Sequence, residues 1–319
     1  MNSIIQCLNN TEPLVKELVQ FDSSRRHFNH TSRFRGRIAQ EVIASFRNMW
    51  SGQMKIYSVR ELKSLMGEVK DIFKGSAHQD SNEFLIILLE HLHEDLNMPA
   101  EVATLEGAVE ETGEKAWGEF RRKNCSIIQR LFYGQHKSTV TCDECGHESA
   151  TFEQFFNLFV PIPSQRNAVT LQDCIKSYMS GERISGWVCP NCKVERNATK
   201  KFDISRLPPV LVIALKRFAQ EDESWLHKKE NLVSYPLEDL DMIPFTVRGS
   251  EQRCRVYDLY AMSTHSGTTQ SGHYRAICKS LSDNRWYMFD DQTVNQLSAS
   301  SVRNNSEVYI LFYIAQTDS

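Results

Sequence analysis

Two Cys-x-x-Cys pairs constrain the fold of this 319-residue chain more than any other feature. Cys142-Asp-Glu-Cys145 and Cys189-Pro-Asn-Cys192 are separated by 43 residues. Each pair puts two thiols on one tight turn, and two such turns supply the four sulfurs of a tetrahedral Zn²⁺ site. A closed four-cysteine site has no open position for substrate, so we expect a structural metal that ties together the tips of two β-excursions. The alternative is four reduced thiols without metal. We expect His147, close by, to be exposed rather than a ligand.

Composition excludes several classes of protein. With 41% hydrophobic residues the chain can bury a substantial core. A net charge of −3 and a pI near 6.4 give no basic footprint for nucleic acid. No segment approaches the roughly 18 consecutive apolar residues of a membrane span, and no secretory signal follows Met1. We therefore expect an intracellular protein, in the cytoplasm first and the nucleus as an alternative.

The periodicity of apolar residues changes along the chain. The first third has helical spacing, as in the segment Ser81 to Leu96, whereas short strand-like runs separated by prolines begin near Leu131. The acidic segment Met98 to Gly118 is weakly periodic and is predicted to be a loop or a loosely packed insert. Helices followed by strands indicate an α+β protein.

A histidine and an aspartate near the C-terminus are predicted to face each other in a β-hairpin. Tyr274 to Lys279 and Arg285 to Phe289 have strand character, and Ser280 to Asp283 between them is typical of a turn. If those four residues are the loop, counting back along the strands places His273 opposite Asp290. A carboxylate there could fix the imidazole tautomer and leave one ring nitrogen free as a base. Alternatively, the pair only stabilises the hairpin.

Further motifs are spread over almost the whole chain. They are Met1-Asn-Ser-Ile-Ile-Gln-Cys-Leu8, His78-Gln-Asp-Ser-Asn-Glu-Phe-Leu85, Leu207-Pro-Pro-Val-Leu211, Leu215-Lys-Arg-Phe218, Ser271-Gly-His-Tyr274, Trp286 to Asp291 and Tyr309-Ile-Leu-Phe-Tyr313. In this order, with the cysteine pairs, they resemble the catalytic domain of the ubiquitin-specific proteases, cysteine peptidases that cut ubiquitin from proteins. The resemblance is nearest to the ubiquitin carboxyl-terminal hydrolase 8 type.

The resemblance implies one catalytic domain over residues 1–319 with a papain-like, right-hand architecture. Residues 1–130 would form a helical thumb, 131–206 and 207–250 the zinc-ribbon fingers and part of the palm, and 251–319 the β-rich palm with the histidine–aspartate hairpin. His273 would be the general base and Asp290 the residue that orients it. Asp291 would assist less directly, since strand parity points it to the other face.

The same resemblance implies a ubiquitin-binding cleft. Asp80 and Glu83 would contact the arginine-rich tail of ubiquitin, because carboxylates pair well with guanidinium groups. Asp80 also suits the N-cap of the helix that follows it, and both roles are compatible. His265 would lie in a loop over the tail, and Gly272 would let the backbone pass close to the terminal glycines of ubiquitin.

The nucleophile of the family pattern is not in this sequence. The pattern runs Asn-Thr-Cys, one further residue and Met-Asn-Ser, so the expected cysteine and the asparagine credited with stabilising the oxyanion lie upstream of Met1. The cysteines outside the two pairs are predicted to be small core residues: Cys7, Cys125, Cys174, Cys254 and Cys278. Loss of a triad nucleophile costs on the order of 10⁶ in turnover, so the chain as written is predicted to be inactive.

Three functions compete. The first is a deubiquitinase that hydrolyses the bond after the terminal glycine of ubiquitin, with this sequence an incomplete version of it. The second is a short product that binds ubiquitin or ubiquitinated proteins without cleaving them. The third, a zinc-ribbon scaffold or nucleic-acid module, is disfavoured by the acidic balance and the lack of a basic, aromatic-rich patch.

Overall fold

Helices dominate the first part of the chain and strands dominate the rest. The computed structural model describes residues 1–22, 28–98, 112–163, 168–219, 227–250, 252–269 and 271–316. The helices there are α1 (Asn2–Asn9), α2 (Glu12–Val19), α3 (Arg37–Trp50), α4 (Arg60–Val69), α5 (Ser81–Leu96), α6 (Gly113–Lys123), α7 (Ile127–Phe132), α8 (Leu171–Met179) and α9 (Ala299–Arg303), with short 3₁₀ turns at Asp71–Phe73 and Ile243–Phe245.

The strands begin immediately after the seventh helix, close to the change in periodicity at Leu131. They are β1 (Gly134–Cys142), β2 (Glu148–Phe155), β3 (Leu158–Pro161), β4 (Ala168–Thr170), β5 (Glu182–Val188), β6 (Glu195–Arg206), β7 (Val210–Lys216), β8 (Phe218–Ala219), β9 (His227–Lys228), β10 (Leu232–Ser234), β11 (Leu240–Asp241), β12 (Val256–Gly267), β13 (Gly272–Lys279), β14 (Trp286–Asp290), β15 (Thr293–Leu297) and β16 (Val308–Ala315). The predicted α+β class is therefore confirmed.

One prediction about the helical region is wrong. The segment Met98 to Gly118 is predicted to be a loop or a loosely packed insert, but α6 begins inside it at Gly113. The side chain of Thr112 accepts a hydrogen bond from the backbone of Lys115 and caps the helix. Trp117 is buried and fixes the helix against the rest of the protein. Residues 99–111 of that prediction lie outside the described residues.

An eight-stranded sheet forms the centre of the molecule. Its order is β15-β14-β13-β12-β16-β7-β3, with β11 pairing separately with β12. All pairs are antiparallel except β3 with β7. Because side chains alternate along a strand, β7 sends Val210, Val212 and Ala214 to one hydrophobic cluster and its odd-numbered neighbours to another. The first cluster packs against helices α1 to α5 and α7, and the second packs against α8.

A second, four-stranded sheet extends away from the central one. Its order is β2-β1-β6-β5, and every pair is antiparallel. One Cys-x-x-Cys turn joins β1 to β2 and the other joins β5 to β6. Most side chains in the outer half of this sheet are exposed, but Cys142, Cys189 and Ala198 are buried. In the described part of the chain no helix is long and apolar enough to span a membrane.

Candidate functional site

The predicted hairpin is present, but its loop lies one residue further along the chain. Ser280, predicted to be in the loop, instead pairs with Arg285. The Ser280 backbone amide donates to the Arg285 carbonyl at 2.8 Å, so the loop is residues 281–284. Asn284, with φ of 58°, adopts the left-handed conformation that closes it. The register is therefore Lys279 opposite Trp286. The prediction placed His273 directly opposite Asp290. In the structure, His273 lies diagonal to Asp290.

The two side chains nevertheless meet. Moving the loop by one residue changes the register by two, which keeps His273 and Asp290 on the same face. Nε2 of His273 lies 2.6 Å from Oδ1 of Asp290. An ionised carboxylate only accepts hydrogen bonds, so Nε2 carries the proton and Nδ1 keeps its lone pair. This is the arrangement of an oriented general base.

Asp291 does not follow the strand parity that was used to predict its direction. It lies just after the end of β14, in the turn before β15, and its φ of 50° is in the left-handed region. This conformation brings its carboxylate to the side of the sheet occupied by His273. One ring nitrogen of His273 and one carboxylate oxygen each of Asp290 and Asp291 lie within 4.8 Å of one another. The prediction that Asp291 faces away is therefore wrong.

A cleft of about 230 Å³ connects His273 to the helical layer. Its lining includes Asp80, Gly272, His273 and Asp291, together with the first residues of α1. The carboxylate of Asp80 caps α5 by accepting a hydrogen bond from the backbone N–H of Asn82 at 2.7 Å, which confirms the predicted N-cap. The hydroxyl of Tyr309 lies 2.8 Å from both Asp80 carboxylate oxygens and donates to this carboxylate. Asp80 is therefore held in place from a helix and from a strand.

Glu83 does not line the cleft, although it lies one turn from Asp80. Its carboxylate forms an ion pair with the ammonium group of Lys70. Both side chains are more than a third exposed, so solvent screens this pair and it is easily exchanged for another cation.

His265 is not in a loop, contrary to the prediction. It lies in β12 opposite Tyr274 and is only 4% exposed. Burial lowers its pKa to about 4, assisted by Lys228, so the ring is neutral. The ring also explains Gly272, because a Cβ atom there would lie 2.0 Å from Nε2 of His265. The close approach at Gly272 is thus to an imidazole of the same chain.

Lys228 is a site residue that the sequence did not reveal. Its ammonium group donates to the carbonyl of His265 at 2.8 Å and to that of Gly267 at 3.0 Å. These carbonyls end the strand that precedes the turn before His273. A lysine that binds backbone carbonyls has no sequence signature.

The four paired cysteines converge as predicted. The Sγ atoms of Cys142, Cys145, Cys189 and Cys192 lie within 4.8 Å of one another, and those of Cys145 and Cys189 are 3.6 Å apart. Two thiolates on one tetrahedral Zn²⁺ lie about 3.8 Å apart, so the spacing fits a metal. Positive φ values at Gly146 and Lys193 close the two turns. His147, which is half-buried, is not part of the cluster.

All nine cysteines lie in the described part of the chain, and none lines the cleft of His273. Cys7 and Cys278 are buried and contact each other between α1 and β13, and burial raises the pKa of Cys7 well above its usual value. Cys174 is also buried, as predicted. Cys125 is exposed and Cys254 half-buried, so the prediction of core positions fails for these two.

Comparison with known proteins gives the family. The profile described as "Ubiquitin carboxyl-terminal hydrolase" matches residues 1–313. The chain belongs to this hydrolase family. Ubiquitin carboxyl-terminal hydrolase 2 of Rattus norvegicus is 35% identical over 324 residues, which cover 98% of this chain and 52% of the relative. The chicken (Gallus gallus) protein of that name is 37% identical, over 88% of this chain and 81% of the relative.

More distant hydrolases of the family have the same coverage of this chain. Ubiquitin carboxyl-terminal hydrolase 4 of Saccharomyces cerevisiae is 31% identical over 98% of this chain and 38% of its own length. The chain thus spans about half the length of the rat relative and less of the yeast one. The finer resemblance to the hydrolase 8 type stays a prediction.

Solved structures confirm the fold of the hydrolase family. A structure of the SAGA DUB module of Ubp8, Sgf11, Sus1 and Sgf73 bound to monoubiquitin matches with a TM-score of 0.76 and 22% identity, covering 100% of this chain and 67% of that chain. The same module bound to ubiquitin aldehyde matches with a TM-score of 0.74 and 21% identity, over 100% and 68% of the two chains.

Proposed function

We propose that the chain provides the catalytic base of a deubiquitinase that hydrolyses the peptide or isopeptide bond after the C-terminal glycine of ubiquitin. The observation that carries the proposal is the 2.6 Å contact between His273 Nε2 and Asp290 Oδ1 at one end of a cleft. His273 acts as the general base and Asp290 orients it. Asp291 lies in the same cleft, close to both side chains.

The proposed reaction needs a thiol beside Nδ1 of His273. That nitrogen takes the thiol proton, and the thiolate attacks the carbonyl carbon of the terminal glycine. The C–N bond to the amine then breaks, and His273 returns the proton to the leaving amine. Water, deprotonated by His273, then releases the acyl group. No cysteine of this sequence lines the cleft. We infer that the nucleophile is the cysteine expected two residues before Met1, and that these 319 residues alone bind without cleaving.

We propose that the tail of ubiquitin occupies the cleft. Asp80 is already fixed by Tyr309 and Asn82, so it can accept from a guanidinium group without losing side-chain freedom. Glu83 would exchange Lys70 for a second arginine. Gly272 lines the cleft next to His273, and the neutral ring of His265 packs against it from within the protein. The structural neighbours bound to monoubiquitin and to ubiquitin aldehyde support this ligand.

We further propose that Cys142, Cys145, Cys189 and Cys192 hold a structural Zn²⁺. The 3.6 Å sulfur separation fits metal coordination and excludes a disulfide, whose sulfurs are about 2.0 Å apart. When bound, the metal would supply a cross-link between the β1–β2 and β5–β6 turns. It takes no part in bond cleavage.

The test is labelling by a ubiquitin probe that carries an electrophile at its C-terminus. We expect no labelling of the 319-residue chain and rapid labelling of a chain extended upstream through Asn-Thr-Cys. In the extended chain, Asp290→Asn should reduce hydrolysis of a fluorogenic ubiquitin conjugate by on the order of 10³-fold, because the imidazole tautomer is no longer fixed. Asp291→Asn is the matched control and should have a much smaller effect.

Two outcomes would contradict parts of this proposal. Labelling of the 319-residue chain would mean that one of its own cysteines is the nucleophile. An unreactive extended chain that still binds ubiquitin with micromolar affinity would establish the second candidate, a binding protein without activity. Equal losses in Asp290→Asn and Asp291→Asn would remove the special role assigned to Asp290.

A further inference from the structure

A second cavity, of about 240 Å³, lies where α6 and α7 meet the segment after β6. Four arginine side chains from different parts of the chain line it: Arg121 of α6, Arg130 of α7, Arg206 at the end of β6, and Arg253. Its lining includes no aspartate or glutamate among the described residues. It shares no lining residue with the cleft of His273.

The positive charge of this cavity is only partly balanced. Arg130 pairs with Glu17, and Arg206 pairs with Glu114, but neither glutamate lines the cavity. The side chain of Glu114 is 84% exposed, so this pair contributes little. The side chains of Arg121 and Arg253 make no hydrogen bond or ion pair with any described residue. The cavity therefore has an excess of about two positive charges that nothing described in the protein neutralises.

One buried donor in the cavity wall is also unsatisfied. Nε of Arg206 is inaccessible to solvent and has no hydrogen-bond acceptor among the described residues. The guanidinium of Arg206 stacks over the ring of Trp117, 5.1 Å from its centroid, which fixes its plane. A buried donor without acceptor costs about 1–3 kcal/mol. An anionic ligand in the cavity would relieve the repulsion between the guanidinium groups.

We propose that this cavity binds a phosphate monoester on a side chain of a partner polypeptide. Guanidinium groups bind the oxygens of a phosphate dianion in a bidentate manner, and several of them are needed to match its charge. Apolar surface in the wall comes from Trp117, Tyr133, Leu207 and Pro209, and Gln129, Gln252 and Cys254 complete the lining. These apolar surfaces suit the residues that flank a phosphorylated side chain. They would contribute nothing to the binding of free phosphate.

The experiment is calorimetric titration of the 319-residue protein with a hexapeptide that carries a central phosphoserine between apolar residues. We expect saturable binding that weakens with salt, and no binding of the unphosphorylated peptide. Arg121→Gln/Arg253→Gln should weaken binding at least tenfold, and each single variant less. Arg122→Gln, which removes the same charge from the same helix outside the cavity, is the control and should bind normally.

Equal affinity of the double variant and Arg122→Gln would overturn the proposal, because binding would then not involve the cavity. So would the absence of peptide binding at millimolar concentration. Binding of inorganic phosphate but not of the phosphopeptide would overturn the assignment to a polypeptide. Melting temperatures of all variants verify folding, and because the assay does not use activity, its result is independent of the proposed hydrolase function.

Discussion

At the scale of single residues, His136 in β1 is a histidine that the fold keeps uncharged. Its ring stacks on Phe155 with centroids 4.2 Å apart, and its buried Nε2 has no hydrogen-bond partner among the described residues. Burial lowers its pKa to about 4. The unfolded chain takes up this proton near pH 6.5, so the folded state loses stability as the pH falls from about 6.5 to 4.

His136→Phe should remove this pH dependence. The phenyl ring keeps the stacking and has no proton to bind, so the free energy of unfolding relative to wild type should rise by on the order of 3 kcal/mol between pH 7 and pH 4. Chemical denaturation at several pH values measures it. His227→Phe, at an exposed position, is the control. Parallel curves for wild type and His136→Phe would show that His136 is not the titrating group.

A second residue-scale prediction concerns Gly272. An alanine Cβ would lie 2.0 Å from His265 Nε2 and 2.8 Å from the Ser266 carbonyl, and the buried imidazole has little room to move. Gly272→Ala should lower stability by about 1–3 kcal/mol. Gly118→Ala, on α6 with nothing within 4 Å, should instead raise it by about 0.5–1 kcal/mol.

The cause can be isolated with a double-mutant cycle. In a His265→Ala background the ring atoms that meet the new Cβ are gone, so Gly272→Ala should cost much less there than in wild type. Equal costs in the two backgrounds would refute the clash with His265.

The sequence predicted the placement of some proposed site residues and not of others. Asp80, His273 and Asp290 lie where their motifs suggested. Asp291 and His265 do not. At Asp291 a left-handed φ overrides strand parity, and at His265 the sequence pattern does not distinguish a strand from a loop.

At the scale of elements, the hairpin of β12 and β13 is held from outside by Lys228. Lys228→Met removes two charge-assisted hydrogen bonds to the carbonyls of His265 and Gly267. Amides of residues 266–273 should then exchange with solvent about tenfold faster, while those of the central strands are unchanged. Lys279→Met, on the same hairpin strand as His273, is the control. Unchanged exchange near His273 would contradict a positioning role for Lys228.

The hairpin also illustrates what pattern can and cannot determine. Alternation predicted both strands and the face shared by His273 and Asp290. It could not distinguish a loop at 280–283 from one at 281–284, since the two registers differ by two residues and put the same side chains on each face. The left-handed conformation of Asn284 fixes the register, but the presence of an asparagine in the sequence does not by itself predict that conformation.

At the scale of the whole molecule, the four-cysteine cluster is the main cross-link in the outer half of the four-stranded sheet. Excess chelator should lower the melting temperature by about 5 °C or more and make this sheet the first site of proteolysis. Purified protein should contain one zinc per chain by mass spectrometry. Cys192→Ser should lose it, whereas Cys125→Ser, at an exposed cysteine, should retain it. Metal-free wild-type protein that melts at the same temperature would exclude a structural zinc.

Long-range organisation was predictable where several motifs agreed. The paired cysteines predicted that two turns converge, and the change from helical to strand periodicity predicted the α+β class. The arginine-lined cavity was not predictable, because its four arginines are spread over 133 positions of the sequence and meet only when α6, α7 and the end of β6 pack together.

The pairing of β13 has a mechanical consequence. Residues 276–278 are paired with strands on both sides, whereas residues 272–275 are paired only with β12. The buried half of the strand, Ala276 to Cys278, is clamped between the two hydrophobic clusters. His273 therefore lies in the half of the strand that pairs on one side only. We expect this half to move more readily than the half clamped between the two cores.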